Sequence, residues 1–130
     1  MKVKCAKIIS PTTKKDLGEH SPWLKRGKEY IVLALNWSSK FGMQIFIQTE
    51  QYNEPRFIFL DGFEIISQKI PVSWSTKTQE FGNQYIMTMQ PQSWLSFNNF
   101  FDELDDENPE AVALFNKEAE LIYKEEAESI

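Results

Sequence analysis

The chain has 130 residues, 42% hydrophobic and 14% aromatic, with ten Phe and four Trp, which excludes the disordered class of low hydrophobicity and high charge. That length gives one domain enough apolar material for a core without disulfides or metals. One cysteine, Cys5, excludes an internal disulfide framework and fits a reducing compartment.

The net charge of −5 is unevenly spread. Residues 1–90 carry 12 Lys/Arg and 8 Asp/Glu, whereas residues 91–130 carry 2 and 11. The acidic end repels phosphate, so nucleic acid is not its expected partner, and a basic protein is. The expected organisation is a single domain over 1–130, with a mostly β body over 1–90 and an acidic helical end over 91–130.

The start, MKVKCAKII, lacks the apolar stretch of about 7 to 15 residues found in a signal peptide. The longest unbroken apolar run, Ile31–Leu35, is far below the roughly 18 residues of a membrane span. A cytoplasmic chain with no membrane partner is expected.

Residues 2–9 read as a first strand with Val3 and Cys5 inward and Lys2 and Lys4 outward. SPTTKKDLGEHSPW gathers Pro, Gly and small polar residues, so a long loop follows, anchored by Trp23 and Leu24. A central strand is predicted over 28–36, around which the others pair. MQIFIQT, residues 43–49, alternates Met43, Ile45 and Ile47 against Gln44, Phe46 and Gln48, with Phe46 covering a small outer cluster. The polar run TEQYNEP interrupts the sheet before a strand at 56–61. Asp61 and Gly62 then suit a type I′ hairpin into FEIIS. KIPVSW is an edge strand or a crossing connection because of its proline, and the last strand lies in EFGNQYIMTMQ.

Trp94, Phe97, Phe101 and Leu104 recur at helical spacing after Pro91, predicting a short helix. Asn108 and Pro109 open a second one, whose stripe is Val112, Phe115, Ala119 and Ile122. Glu125, Glu126 and Glu128 crowd its C-terminal end, against the macrodipole. Either that end frays in solvent or a basic partner uses it.

Catalytic signatures are sparse. His20 is the only histidine and reads as a surface loop residue, and Cys5 reads as buried, so a Cys–His nucleophilic pair is not expected. The five glycines are scattered and form no phosphate-cradling loop. The acids after Phe101 lack the glycine and spacing of a calcium loop. Neither an enzyme, a cofactor nor a metal is expected, and Trp37, on a polar turn, reads as an exposed aromatic.

GKEYIVLALN, RFIF and FEII resemble the strand order of a small SH3-like barrel, in which a long loop precedes a strand opened by a charged glycine turn. The expected fold class is α+β: a small antiparallel β-barrel, SH3-like, or a curled sheet, with two C-terminal helices. The whole chain, with the stretches IPVSW, PQSWL and NPEAVALF, is similar to the immunity proteins of bacterial polymorphic-toxin and contact-dependent growth inhibition systems. That resemblance implies a cytoplasmic antidote that binds a cognate toxin domain and blocks its active site. On physical grounds, dense carboxylates fill a basic, nucleic-acid-cutting groove as phosphate substitutes. The expected partner-binding residues are therefore Asp102, Glu103, Asp105, Asp106 and Glu107, with Trp37 as an aromatic contact. The alternative is an SH3-like adaptor that takes a peptide in a groove around Trp23 and Trp37.

Overall fold

The structure is a computed structural model and describes residues 1–10, 12–18 and 21–128. Its elements are β1 (Lys2–Cys5), β2 (Glu29–Ile31), β3 (Ala34–Ser38), β4 (Gly42–Gln48), β5 (Pro55–Phe59), β6 (Phe63–Ser67), β7 (Trp74–Phe81), β8 (Gln84–Pro91), α1 (Gln92–Leu95), α2 (Phe100–Asp105) and α3 (Pro109–Ala127). The strands form two antiparallel sheets, ordered β2-β1-β6 and β5-β4-β3-β8-β7. The fold is α+β as expected. The sheets stay separate rather than closing into a barrel, and three helices stand where two are predicted.

Two hydrophobic cores explain this layering. Val3, Cys5, Tyr30, Ile45 and Ile47 fill the space between the sheets. The other face of the five-stranded sheet meets the helices through Phe46, Trp94, Phe100, Phe115 and Ile122. A strand covered on both faces needs apolar side chains of both parities, which is why Ile45, Phe46 and Ile47 are all buried in β4. Phe46 therefore belongs to the helix-side core, not to a small outer cluster. Its ring lies 4.7 Å from Phe57 and 4.9 Å from Phe101.

The single strand predicted over 28–36 is two strands in two sheets. At the junction Val32 N donates to Met1 O at 2.9 Å, and Leu33 N donates to Phe46 O at 2.8 Å. Val32 enters one core and Leu33 the other, so the unbroken apolar run encodes a crossing between sheets. The Asp61–Gly62 hairpin is likewise absent: β5 pairs with β4 and β6 with β1, so this turn passes between sheets. Consecutive strands do pair as hairpins at β3–β4, β4–β5 and β7–β8, the last through Gly82, whose φ is +57°. Sequence reading missed β7 because it is a polar edge strand, exposed from Thr76 to Glu80. The KIPVSW segment serves as the connection that carries the chain from β6 across to β7.

The short helix after Pro91 is broken in two. Asn99 adopts a left-handed conformation, φ +54°, between α1 and α2, and this turns Phe100 onto Trp94 with ring centroids 4.9 Å apart. Asn is one of the few side chains that tolerates that backbone. The second predicted helix is α3. The Asn108 side chain caps it by accepting from Glu110 N at 2.9 Å, and Pro109 opens it. Its acidic end is held by this same chain: Glu126 is buried against the Met1 α-ammonium, 3.1 Å away, and Lys69 Nζ donates to Glu125 O at 3.2 Å.

Candidate functional site

The acidic residues singled out from sequence fall on α2 and the turn that joins it to α3. Asp102 and Glu103 sit in the first turn of α2, where the helix dipole favours negative charge. Glu103 has a structural task as well, since Asn108 Nδ2 donates to its Oε2 at 2.8 Å. Asp102, Asp105, Asp106 and Glu107 are exposed, and among the described residues none of the five acids forms an ion pair. No three His, Cys, Asp or Glu side chains among the described residues converge on a common metal position.

Beside these acids runs a groove of about 510 Å³, with Leu104, Asp105 and Glu107 on the helical side and Tyr52, Asn53 and Glu54 on the other. The second wall is the turn between β4 and β5. There Glu54 N donates to Gln51 O at 3.0 Å, and Tyr52 and Asn53 both have positive φ, +57° and +55°. Positive φ at both central residues is what a type I′ turn requires, and a bulky Tyr is a poor choice for it. Tyr52 is also 92% exposed. Among the described residues five non-glycine positions have positive φ, and Tyr52, Asn53 and Glu107 of these line this one groove. Asn53 tolerates that backbone, and Glu107 closes the C-terminus of α2, where its N donates to Leu104 O at 3.0 Å, so the strain that concentrates at functional sites is confined to Tyr52.

Sequence reasoning missed Tyr52 and Asn53, having taken TEQYNEP only as an interruption of the sheet. The available signal was an aromatic residue inside a polar turn, the same signal that picked out Trp37. The turn is firmly seated: Thr49 N and Oγ1 both donate to Glu54 O, and Glu50 N donates to Trp23 O at 2.7 Å. Gln48 also lines the groove, and Tyr123 OH donates to its Oε1, linking α3 to β4. Burial pushes the Tyr123 hydroxyl up to about 12, so it remains a donor at neutral pH.

Trp37 is not brought to this surface. It pairs with Met43 on β4, at the opposite end of that strand from Gln48, and is 37% exposed. At about 3.3 Å per residue that separation is on the order of 16 Å along the strand. Its side chain has the parity of Leu35 and Ile45, away from the helices. Phe41 and Tyr85 are exposed near the same end of the sheet.

Trp23 lines a separate cleft of about 600 Å³ between the long loop and β5, together with Ile8, Leu17, Arg56, Phe59 and Asp61. The Arg56 guanidinium lies 5.3 Å from the Trp23 ring centroid, and its Nη2 donates to Glu54 Oε1 at 2.7 Å. Its buried Nε has no partner among the described residues. Lys14 closes on Asp61 at 3.3 Å.

Cys5 does not join either site. Cys5 is fully buried in β1, and burial raises its thiol pKa although Arg26 partly opposes this, so the thiolate that attack requires is disfavoured. His20 lies outside the described residues. Comparison with protein-family models, curated proteins and solved structures finds no match to this chain, so its own residues carry the functional argument.

Proposed function

We propose that this chain is an antidote of the bacterial immunity type: a non-enzymatic cytoplasmic protein that binds a cognate, basic toxin domain and blocks it. The observation that carries this reading is the groove where Asp105 and Glu107 face the exposed Tyr52, whose positive φ strains its backbone, with further exposed acids beside it. Exposed carboxylates steer a basic partner and raise the association rate, while an exposed aromatic supplies the apolar anchor that such interfaces concentrate their affinity on. A nucleic-acid-cutting toxin fits best, because its substrate groove is built to hold closely spaced negative charges.

The test is to read the neighbouring reading frame for a toxin domain, whose absence counts against the reading, then to co-express this chain with that domain and measure binding to it in purified form. The native chain is expected to restore growth. A variant carrying Asp102→Asn, Asp105→Asn, Asp106→Asn and Glu107→Gln is expected to lose protection and the salt dependence of binding. Equal protection by this variant, or no binding by the native chain, overturns the reading. The adaptor alternative is favoured by one observation, the Trp23 cleft beside β5, and Trp37 takes no part in it.

A further inference from the structure

We propose that the free edge of β5 takes up an extended segment of a partner polypeptide as an added strand, and that the segment alternates apolar and basic side chains. The inference rests on the reading that this chain binds a polypeptide, and not on that partner being a toxin.

The hydrogen-bond directions identify the open groups. Leu33 N donates to Phe46 O, so the backbone groups of Phe46 point toward β3. In an antiparallel ladder the direction alternates, so Ile45 and Ile47 point toward β5. Leu60 N donating to Met43 O at 3.1 Å has the same parity. Ile45 faces Ile58 and Ile47 faces Arg56, so Arg56 and Ile58 spend their N–H and C=O groups on β4. Phe57 and Phe59 therefore turn theirs outward, and among the described residues these groups have no backbone partner. Pro55, at the start of the strand, has no N–H to offer.

An open edge normally invites aggregation, and proteins blunt it with charge, proline or cover. Here Pro55 blunts the start of the edge, and the stretch that carries Phe57 and Phe59 is flanked by two hollows. The Trp23 cleft runs along one side of it, and a smaller hollow of about 250 Å³ lined by Phe101, Leu104 and Asp105 runs along the other. Arg56 and Phe57 border both. Flat sheets cannot enter such a slot, whereas a single extended chain can, through strand addition.

The two walls dictate the ligand. Side chains of an added strand alternate between the faces of the sheet. Those on the face of Ile58 enter the apolar side with Trp23, Ile8 and Leu17. Those on the face of Phe57 meet Leu104 and Asp105, next to the exposed Asp102, Asp106 and Glu107. Apolar residues satisfy the first wall and Lys or Arg the second.

The probe is a capped hexapeptide alternating valine and lysine, titrated onto the full chain and followed by NMR amide exchange. Slowed exchange and shifted signals are expected at Phe57 and Phe59, and weaker binding from a valine–glutamate peptide and from one with its three lysines in a block. Phe59→Pro removes an outward N–H and no ladder bond to β4, while Phe59→Val removes the ring and keeps the N–H. Phe59→Pro is expected to bind the probe about tenfold more weakly than Phe59→Val. Should Phe59→Pro fail to fold, the exchange data on the native chain still decide. Equal affinity of the two variants, unprotected Phe57 and Phe59, or signals that move only around Trp37 overturn the inference. If acid-dependent partner binding survives in Phe59→Pro unchanged, this inference falls and the proposed function stands.

Discussion

The α-ammonium of Met1 lies 3.1 Å from Glu126 Oε2, with both groups largely enclosed, so β1 is tied to the last turn of α3. Burial alone would raise the Glu126 pKa. The Ser67 hydroxyl and the Met1 ammonium together outweigh it and hold the carboxyl below its ordinary value of 4.5. A carboxylate held low contributes stability that is present above the unfolded pKa and is lost as pH falls through the folded one. Glu126→Gln is expected to lower stability at pH 7 by about 1–3 kcal/mol. The difference from the native chain should shrink below about pH 4. Urea unfolding at both pH values checks this, and a gap undiminished in acid would assign the loss to packing.

Tyr52 and Asn53 occupy the two positive-φ positions of a turn for which Asn-Gly is the preferred pair. Tyr52→Asn combined with Asn53→Gly is expected to stabilise the fold by about 1 kcal/mol, since an L-residue other than Gly, Asn or Asp is strained there. If Tyr52 anchors a partner, the same change weakens binding at least tenfold, or about 1.4 kcal/mol. Denaturation curves and a binding titration on one protein sample read both effects. A stabilised variant with native affinity would reduce Tyr52 to a turn residue.

These cases mark how far the sequence is legible. Patterns set by local chemistry were readable: the inward parity of Val3 and Cys5, the Asn108–Pro109 start of α3, and Phe115, Ala119 and Ile122 of its predicted stripe, although Ala111 rather than Val112 is the buried residue of its first turn. Features set by what lies across a core were not. Tyr30–Leu35 looks like one strand because both cores demand apolar residues, and only the partners Met1 and Phe46 reveal the crossing. Trp94, Phe97, Phe101 and Leu104 have helical spacing, yet Asn99 breaks the helix so that Phe100 can stack on Trp94. Of the candidate surface, the acids were visible as composition, whereas Tyr52 reached them through a turn whose strain no propensity predicts.

Trp94 is the point on which the helical side converges. Its ring stacks on Phe100 at 4.9 Å and on Phe115 at 5.6 Å, and Nε1 donates to Leu114 O at 3.2 Å. Trp94→Phe removes that donor and part of the stack, and is expected to destabilise by about 1–3 kcal/mol. Trp94→Ala leaves a cavity and costs about 3–5 kcal/mol. Urea midpoints give the order, and near-UV circular dichroism should lose intensity in both variants. Trp94→Ala falling level with Trp94→Phe would mean that the helices re-pack over the site.

Gly62 carries a different meaning from the hairpin that Asp61–Gly62 suggests. Its φ is +86°, its carbonyl accepts from both Ala6 N and Lys7 N, and a Cβ there would collide with Lys7 O and press on Ile9 Cγ1 at 3.0 Å. Gly27 has the same φ, but a Cβ on it would meet nothing within 4 Å. The pair separates conformational strain from close approach. Gly27→Ala is expected to cost about 1–2 kcal/mol, the penalty of left-handed backbone alone. Gly62→Ala adds the overpacking of the segment after β1, at Lys7 and Ile9, against the β5–β6 turn and should cost roughly 2–5 kcal/mol. Parallel urea unfolding of the two variants measures the difference directly. Equal losses would show that the three-stranded sheet shifts away from an added methyl at little cost, and that Gly62 is needed only for its backbone.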